Sequence, residues 1–341
     1  VILKKGNLLH DDAESLVNTV NCVGIMGKGI ALQFKQAYPN MFLEYQKACR
    51  RGEVKLGKMH VVETNSFFNP KYIINFPTKG HWRSQSRMKD IESGLMDLIK
   101  VVKELNIKSI AVPPLGCGNG GLKWSEVRPK IERAFEELPD VNVHLYEPVG
   151  SPLPDQIKIR THTPKLTRAR ALIIMIMHDY SIPGYKLSLL EIQKLAYFLQ
   201  SVGEPLKLSF VKGKFGPYAD NLNHVLERLD GHYIRGFGDR SRTAEIYLIN
   251  DAVKKAKEFL KGDIKAFEYL QKVRKIIEGY ETPYGLELLS TVHMVIQSNP
   301  EIKNNPERVM EEVHNWNERK RKIFKTNHIE IALKHLNKIN I

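Results

Sequence analysis

Hydrophobic and polar residues follow two alternating periodicities over the first 148 residues of this 341-residue chain. Short runs rich in β-branched residues predict buried strands at 15–21, 59–63, 72–75, 109–113 and 141–146. Between them, apolar residues at helical spacing predict helices over 28–37, 41–50, 88–105 and 124–138. Such alternation is typical of an α/β/α sandwich, in which helices cover both faces of one sheet.

A proline-rich stretch follows this region. Residues 147–156 contain three prolines and no periodicity, so we expect a linker over 149–165 between a first domain at 1–148 and a second at 166–341. In the second, the pattern predicts helices at 166–178 and 188–200, extended segments at 206–210 and 244–248, and mostly helix thereafter. Ser188 and Glu191 have the spacing of a capping box. We therefore expect a mainly α-helical domain with a small β element.

Composition narrows the class of protein. Hydrophobic residues make up 42% and charged residues 26%, as in ordinary globular proteins. No apolar run approaches the roughly 20 residues that a membrane-spanning helix needs, and three cysteines without a CxxC pair argue against a disulfide framework. We therefore expect a cytoplasmic protein with no membrane partner. The net charge of +14 favours contact with phosphate or an acidic protein surface, although a basic proteome background would also produce it.

Two glycine-rich loops are the most informative feature of the chain. Asn18–Leu32 and Pro113–Leu122 each follow a predicted strand and precede a predicted helix. Backbone N–H groups at such positions bind phosphate without a metal ion, and glycine permits the close approach. The first loop has neither the GxGxxG nor the GxxxxGK[ST] spacing of the common nucleotide-binding motifs; the second lacks GxxxxGK[ST], although its residues 116–121 fit the letters GxGxxG.

The opening Gly6-Asn-Leu-Leu9 and the two glycine loops, in this order, resemble the macrodomain family of ADP-ribose-binding proteins over roughly residues 1–148. The segment Ile74-Asn-Phe-Pro-Thr-Lys-Gly-His-Trp82 is similar to the branch that contains terminal ADP-ribose protein glycohydrolase and the DarG antitoxins, partners of the DNA-modifying DarT toxins. The resemblance implies a macrodomain with a mixed sheet, ADP-ribose as product, and no cofactor.

The resemblance also implies roles for individual residues. Asn7 and Leu8 would contact the adenine, which Tyr146 would flank, and Asn21 would hold the distal ribose. The remaining binding residues lie in the glycine loops and beside the catalytic lysine: Gly27, Lys28, Gly29, Ile30, Thr78, Gly116, Cys117, Gly118, Asn119, Gly120 and Gly121.

Lys79 is the predicted catalytic residue. A shielded amine has a lowered pKa and can act as a nucleophile towards the anomeric carbon or the ring-opened sugar. The alternative is that Lys79 pairs with the diphosphate as a point charge. The protein-directed relative has an acidic residue where this chain has Asn119-Gly-Gly121. A missing acid indicates either a leaving group that needs little protonation or a proton supplied by the substrate or by His81. A thymine base of single-stranded DNA fits better than a serine or glutamate linkage.

Other functions stay open at this point. The first domain could be an ADP-ribose reader or scaffold without turnover, or a hydrolase of ADP-ribosylated protein. A basic DNA-binding regulator that uses the C-terminal helices is a third possibility. The four-residue run Arg319-Lys-Arg-Lys322 would contact a phosphate backbone in that case, or form a solvated helix face otherwise.

Several further side chains have either a chemical or a simple structural role. Cys22 and Cys117 have no partner histidine recognisable from sequence, so we interpret them as small packing residues. His10, His60 and His81 have no metal-ligand spacing, and we predict no metal site. Trp82 and Arg83 would either stack on a nucleic-acid strand or order a loop beside the site.

The second domain has a resemblance of its own. Leu189–Gln200, followed by Phe210-Val-Lys-Gly-Lys-Phe-Gly-Pro-Tyr218, resembles the SocA-like antitoxin domain also called Panacea. This implies a module that binds and blocks a cognate DarT-like toxin, while the first domain removes ADP-ribose from the DNA.

Overall fold

The computed structural model describes residues 1–148, 156–238, 244–249 and 251–339. The chain divides into two compact units, Val1–His162 and Thr163–Ile341. Residues 149–155 of the expected linker lie outside the described part, while Gln156 and Lys158 hydrogen-bond to Asn7 and Leu9 of the first unit. The domain bounds expected from the sequence remain predictions.

The described residues of the first unit form six strands and four helices. The strands are β1 (Ile2–Lys4), β2 (Ser15–Asn21), β3 (His60–Glu63), β4 (Tyr72–Lys79), β5 (Ser109–Val112) and β6 (Asn142–Tyr146). The helices are α1 (Gly29–Ala37), α2 (Pro39–Arg50), α3 (Met88–Glu104) and α4 (Trp124–Phe135). All strands form one sheet in the order β1-β6-β5-β2-β4-β3. Every pairing is parallel except β3 with β4, which confirms the predicted mixed sheet.

Two features of this sheet differ from the sequence pattern. The edge strand β1 was not predicted, because its three residues are too few to show alternation. Strand β4 continues four residues beyond the predicted 72–75, through Pro77 to Lys79. Proline lacks an N–H donor, but β3 pairs with β4 only as far as Asn75, so the missing donor breaks no ladder on that side. This extension carries Lys79 to the end of the sheet.

Separate apolar clusters cover the two faces of the sheet. Leu16 and Val20 of β2 pack with residues of α1 and α2, including Phe34 and Tyr45. Val17, between them in sequence, packs on the opposite face with residues of α3 and α4. The period of two along β2 therefore produces the expected α/β/α layers.

The second unit is largely helical, as predicted. Its helices are α5 (Arg168–Tyr180), α6 (Leu189–Ser201), α7 (Asp220–Leu229), α8 (Ala252–Phe259), α9 (Ile264–Ile277), α10 (Pro283–Ser298), α11 (Pro306–Asn315), α12 (Glu318–Ile323) and α13 (Thr326–Lys338). The described residues of this unit also include two small antiparallel strand pairs, formed by β7 (Val211–Gly213) with β8 (Gly216–Tyr218) and by β9 (Ile234–Arg235) with β10 (Tyr247–Leu248). Ser188 and Glu191 form the predicted capping box at the start of α6.

The predicted extended segment at 206–210 is wrong. Lys207 has φ +57°, a left-handed conformation that interrupts a strand. The side-chain amide of Gln200 instead accepts from Leu208 N and donates to Leu208 O, so a side chain replaces the neighbouring strand. The segment 244–248 forms a strand only at its last two residues. Among the helices of the described residues, none has the length and apolar character needed to cross a bilayer.

Candidate active site

The carboxyl ends of three parallel strands bring the predicted site residues together. Strand β2 lies between β4 and β5, and Asn21 at its end is paired with Lys79 at the end of β4. The second glycine loop leaves the end of β5 at the same edge. In open α/β sheets, ligands bind at this edge.

Asn21 holds the first glycine loop in position. Its side-chain oxygen accepts from Val23 N at 3.0 Å, and its amide donates to Ile25 O at 2.6 Å. The Tyr45 hydroxyl donates to Asn21 O at 2.6 Å. Asn21 is therefore buried and fixed before any ligand arrives.

The first loop ends in an uncapped helix N-terminus. Helix α1 begins at Gly29, and its N-cap residue Lys28 makes no side-chain capping bond. The first N–H groups of a helix have no partner within the helix and favour an anion. Gly27, Gly29 and Ile30 are only half-buried, so a ligand can reach this backbone.

The second loop offers three more backbone donors. In the described part of the chain, the N–H groups of Gly118, Asn119 and Gly120 have no hydrogen-bond acceptor, whereas those of Cys117, Gly121 and Leu122 are paired within the loop. A Cβ on Gly120 would lie 2.3 Å from Ser86 Oγ and 2.4 Å from Gly116 O. Gly120 is therefore required by close packing, and the free donors suit a phosphate group.

Lys79 and both loops meet at Asn119. The Nζ atom of Lys79 donates to Asn119 O at 3.0 Å. A Cβ built on Gly29 would lie 3.2 Å from the Asn119 side-chain nitrogen. Burial lowers the pKa of Lys79, which is half-buried. Its neighbour Thr78 is buried, with its hydroxyl 3.4 Å from Val20 O.

The predicted adenine contacts lie at the other end of the sheet edge, around Asp11. Asn7 caps the short 3-10 turn that contains Leu8, and its side-chain oxygen accepts from Leu9 N at 3.0 Å. Tyr146 is buried and its hydroxyl donates to Asp11 at 2.8 Å. Asp11 was missed from the sequence; the only signal was an acidic pair one residue after the Gly6–Leu9 motif.

Asp11, Asp12 and His144 form a group that the metal prediction did not consider. Their potential ligand atoms all lie within 4.8 Å of one another. The Lys4 ammonium, however, is 2.9 Å from Asp11 Oδ2 and 3.0 Å from His144 Nδ1. Burial alone would raise the pKa of Asp11, but hydrogen bonds from His144, Lys4 and Tyr146 outweigh it and lower the pKa to about 2. A lysine already neutralises this carboxylate.

Cys22 and Cys117 are half-buried, and each packs against one of the two apolar clusters of the sheet. Burial raises the pKa of Cys22 and raises that of Cys117 to about 11. A thiol with a raised pKa is a poor nucleophile.

In the second unit, helix side chains hold the Phe-Gly-Pro-Tyr hairpin by its backbone. Lys194 donates to Pro217 O at 2.6 Å, and the Gln193 amide makes two hydrogen bonds to Ala219. Trp316 donates from its indole nitrogen to Gly213 O at 2.8 Å. The hairpin is thus joined to α6 and to the end of α11.

The basic run at 319–322 is only partly a solvated face. Lys320 is fully buried, donates to Glu287 at 2.5 Å and to Thr291 at 3.1 Å, and Arg319 pairs with the same Glu287. Lys322 pairs with the exposed Glu318. The sequence suggested either a contact with a phosphate backbone or a solvated helix face. Neither interpretation includes the pairing of Arg319 and Lys320 with Glu287, because Glu287 lies more than thirty residues away along the chain.

Comparison with known proteins identifies the fold and the family. The Macro domain model matches residues 17–131, so the first unit is a macrodomain. A DNA ADP-ribosyl glycohydrolase of Thermus aquaticus is 48% identical over 96% of this chain and 91% of its own length. One of Mycobacterium tuberculosis is 42% identical over 96% of each chain. The chain belongs to the DNA ADP-ribosyl glycohydrolase family, DarG.

Two further relatives each match less than half of this chain. The macrodomain of Mycobacterium tuberculosis DarG is 59% identical, covers 43% of this chain and 97% of its own, and has a TM-score of 0.43. A Thermosipho africanus fusion of a DNA ADP-ribosyl transferase with a DNA ADP-ribosyl glycohydrolase is 35% identical over 45% of this chain and 43% of its own length.

Proposed function

We propose that the first unit hydrolyses the bond between ADP-ribose and a thymine base of single-stranded DNA, with Lys79 as the nucleophile. The observation that carries the proposal is the half-buried Lys79 amine, 3.0 Å from Asn119 O, at the junction of two loops with free backbone donors. The family supports the DNA substrate, since its members are named for this activity.

The site residues act on different parts of the ligand. Asn7 and Leu8 contact the adenine, Tyr146 lies beside it, and Asn21 holds the distal ribose. The start of α1 and the second loop bind the diphosphate through their N–H groups, in keeping with the attraction of anions to such backbone. In the second loop the N–H groups come from Gly118, Asn119 and Gly120, and the other binding residues, which surround the ribose and the diphosphate, are Gly27, Lys28, Gly29, Ile30, Thr78, Gly116, Cys117 and Gly121.

The chemical step uses the neutral form of Lys79. Its nitrogen attacks the anomeric carbon of the distal ribose, and the bond from that carbon to the thymine ring nitrogen breaks with its electron pair going to the nitrogen. The thymine gains a proton as the new lysyl nitrogen loses one. The resulting glycosylamine opens its ribose ring to a lysyl Schiff base, which is the species that borohydride would reduce. Water then hydrolyses the Schiff base, which regenerates the amine and releases ADP-ribose.

The choice of leaving group follows from the loops. Neither Asn18–Leu32 nor Pro113–Leu122 contains an acidic residue that would protonate an alkoxide. A thymine imide stabilises negative charge better than a serine oxygen does, so it departs with less assistance. DNA is therefore a better substrate for this site than ADP-ribosylated serine.

The test compares wild type, Lys79→Ala and Lys79→Arg on single-stranded DNA that carries ADP-ribose on thymidine. Chromatography measures the released ADP-ribose, and the exposed Lys55→Ala is the matched control. We expect release only by wild type and the control, and borohydride to trap a lysyl adduct in wild type. Full activity of Lys79→Arg would make Lys79 an electrostatic clamp.

Two outcomes would contradict the proposed activity or its substrate. If wild type binds ADP-ribose and releases none, the first unit is a reader. If it releases ADP-ribose from modified glutamate as fast as from modified DNA, the substrate class is wrong.

We further propose that the second unit binds and neutralises the cognate DNA ADP-ribosyltransferase toxin. The resemblance to the SocA-like module supports this, as does the existence of a transferase fused to a glycohydrolase. The full-length Lys79→Ala protein separates the two activities, because any inhibition of the transferase by it cannot come from removal of ADP-ribose. Binding measured by calorimetry should accompany the inhibition, and its absence would overturn this part.

A further inference from the structure

The loop that follows Lys79 is attached to both glycine loops. At one end, Gly80 O accepts from Cys22 N at 3.0 Å; at the other, Ser86 N donates to Gly120 O at 2.9 Å. Between them, Ser84 N donates to His81 O, which makes a turn. The residues 81–85 therefore form the rim of the site beside Lys79, and all five are exposed.

Trp82 and Arg83 are stacked on this rim. Trp82 is 42% exposed, and the Arg83 guanidinium carbon lies 4.6 Å from the centre of the indole ring. The His81 ring is 5.4 Å from that of Trp82. An indole in contact with an arginine presents a flat apolar surface next to a positive charge.

The charge of the rim favours a polyanion. From Lys79 to Lys89 the chain has four basic residues and no acidic one. Arg87 is paired with Asp90, but Arg83 has no carboxylate partner in the part of the chain that the structure describes. A protein partner would need its own acidic patch here, whereas each nucleotide of DNA supplies both a base to stack and a phosphate.

We propose that Trp82 and Arg83 bind the nucleotide next to the ADP-ribosylated thymidine, with its base stacked on Trp82 and its phosphate at Arg83. This rests on the proposed function. A modified base that is held at Lys79 has left its own stack, so its neighbour needs a new surface. Aromatic and arginine side chains supply such surfaces for single strands without reading sequence. Trp82 and Arg83 are thus specificity residues that distinguish modified DNA from a modified nucleoside.

The test uses two substrates, ADP-ribosylated thymidine nucleoside and a single-stranded oligonucleotide with the same modification. We expect Trp82→Ala to raise the KM for the oligonucleotide about tenfold, with kcat unchanged and the nucleoside unaffected. A factor of ten corresponds to about 1.4 kcal/mol, within the range for stacking of one base. Arg83→Ala should weaken oligonucleotide binding and reduce its salt slope by about one phosphate contact.

Two remote variants serve as controls. Phe67→Ala removes a fully exposed aromatic ring at the opposite edge of the sheet, before β4 begins. Arg133→Ala removes a cation from the last turn of α4. Neither should change the kinetics on either substrate, and all four variants should retain the Tm and the ADP-ribose affinity of wild type.

Equal losses on both substrates would overturn the proposal, because Trp82 would then shape the ADP-ribose site itself. Unchanged KM for the oligonucleotide would also overturn it, as would loss of transferase binding with DNA binding intact. Fluorescence anisotropy of the modified oligonucleotide measures binding at Trp82 and Arg83 without turnover. If wild type binds the oligonucleotide but does not cleave it, the proposed chemistry is wrong. The affinity of Trp82→Ala for the oligonucleotide then still decides whether Trp82 binds the neighbouring base.

Discussion

The Lys79 amine donates a hydrogen bond of 3.0 Å to the backbone oxygen of Asn119, forty residues further along the chain. The contact joins the end of β4 to the second glycine loop. Within the residues that the structure describes, the Asn119 N–H has no acceptor, while the Asn119 carbonyl accepts from Lys79. The Lys79 amine therefore lies beside the same residue, Asn119, whose N–H group is available to a phosphate.

The pH dependence of turnover should reveal the role of Lys79. Burial lowers the pKa of Lys79 from its ordinary value. A nucleophile must be neutral, so kcat/KM should rise with pH and level off with a midpoint below that of an exposed lysine. Rapid kinetics across pH 6 to 10 on modified DNA would measure it. An electrostatic clamp would give the opposite slope, with activity falling as the ammonium loses its proton.

Gly120→Ala should damage the second loop. The added Cβ would meet Ser86 Oγ and Gly116 O at less than 2.5 Å, and backbone cannot move aside cheaply. We expect a loss of about 1–3 kcal/mol in the free energy of unfolding of the first unit, together with weaker ADP-ribose binding by calorimetry. Gly118→Ala is the matched control, since no heavy atom lies within 4 Å of its Cβ. Equal stability losses in the two variants would contradict this account.

Tyr45→Phe tests the preorganisation of Asn21. The variant removes the hydroxyl that donates to Asn21 O at 2.6 Å while keeping the buried ring. A lost buried hydrogen bond should cost about 1 kcal/mol of stability, and ADP-ribose affinity should fall because the first loop is less well fixed. Tyr38→Phe, in the same apolar cluster, is the control. Unchanged affinity in Tyr45→Phe would show that Asn21 needs no support.

The second unit should become more stable as pH rises above neutrality. Burial lowers the pKa of Lys194 to about 7, and the nearby Lys320 adds to the shift. Between that pH and about 10.5 the unfolded chain binds the extra proton, so the free energy of unfolding increases with pH. Burial also lowers the pKa of Lys320, to about 8, so this residue contributes in the same direction. Lys194→Met should therefore lose part of the increase, whereas the exposed Lys254→Met should keep all of it.

Trp316 provides the readout for this experiment. With Trp82 and Trp124 replaced by Phe, it is the remaining tryptophan of the three and lies in the second unit. Urea unfolding at pH 7, 8, 9 and 10 then follows that unit alone. Parallel curves for wild type and Lys194→Met would rule out a contribution from Lys194.

Local patterns predicted most elements of the first unit, together with its sheet type. The apolar periods of two and about 3.6 identified five of six strands and all four helices, because each element buries one face or stripe. They failed at Pro77, where the absence of a neighbouring strand on one side decides whether proline is tolerated. They also failed at 206–210, where one side chain takes the place of a strand partner.

The sequence by itself determined the glycine loops, the lysine at the end of a strand and the family resemblance, since these depend on residues close together along the chain. Only the tertiary structure decided that Lys79 meets Asn119, that Tyr146 is tied to Asp11, and that Lys320 turns inward to Glu287. Each of these pairs is separated by more than thirty residues. Their contacts arise because strand order and helix packing bring distant segments together, and neither periodicity nor spacing along the chain contains that information.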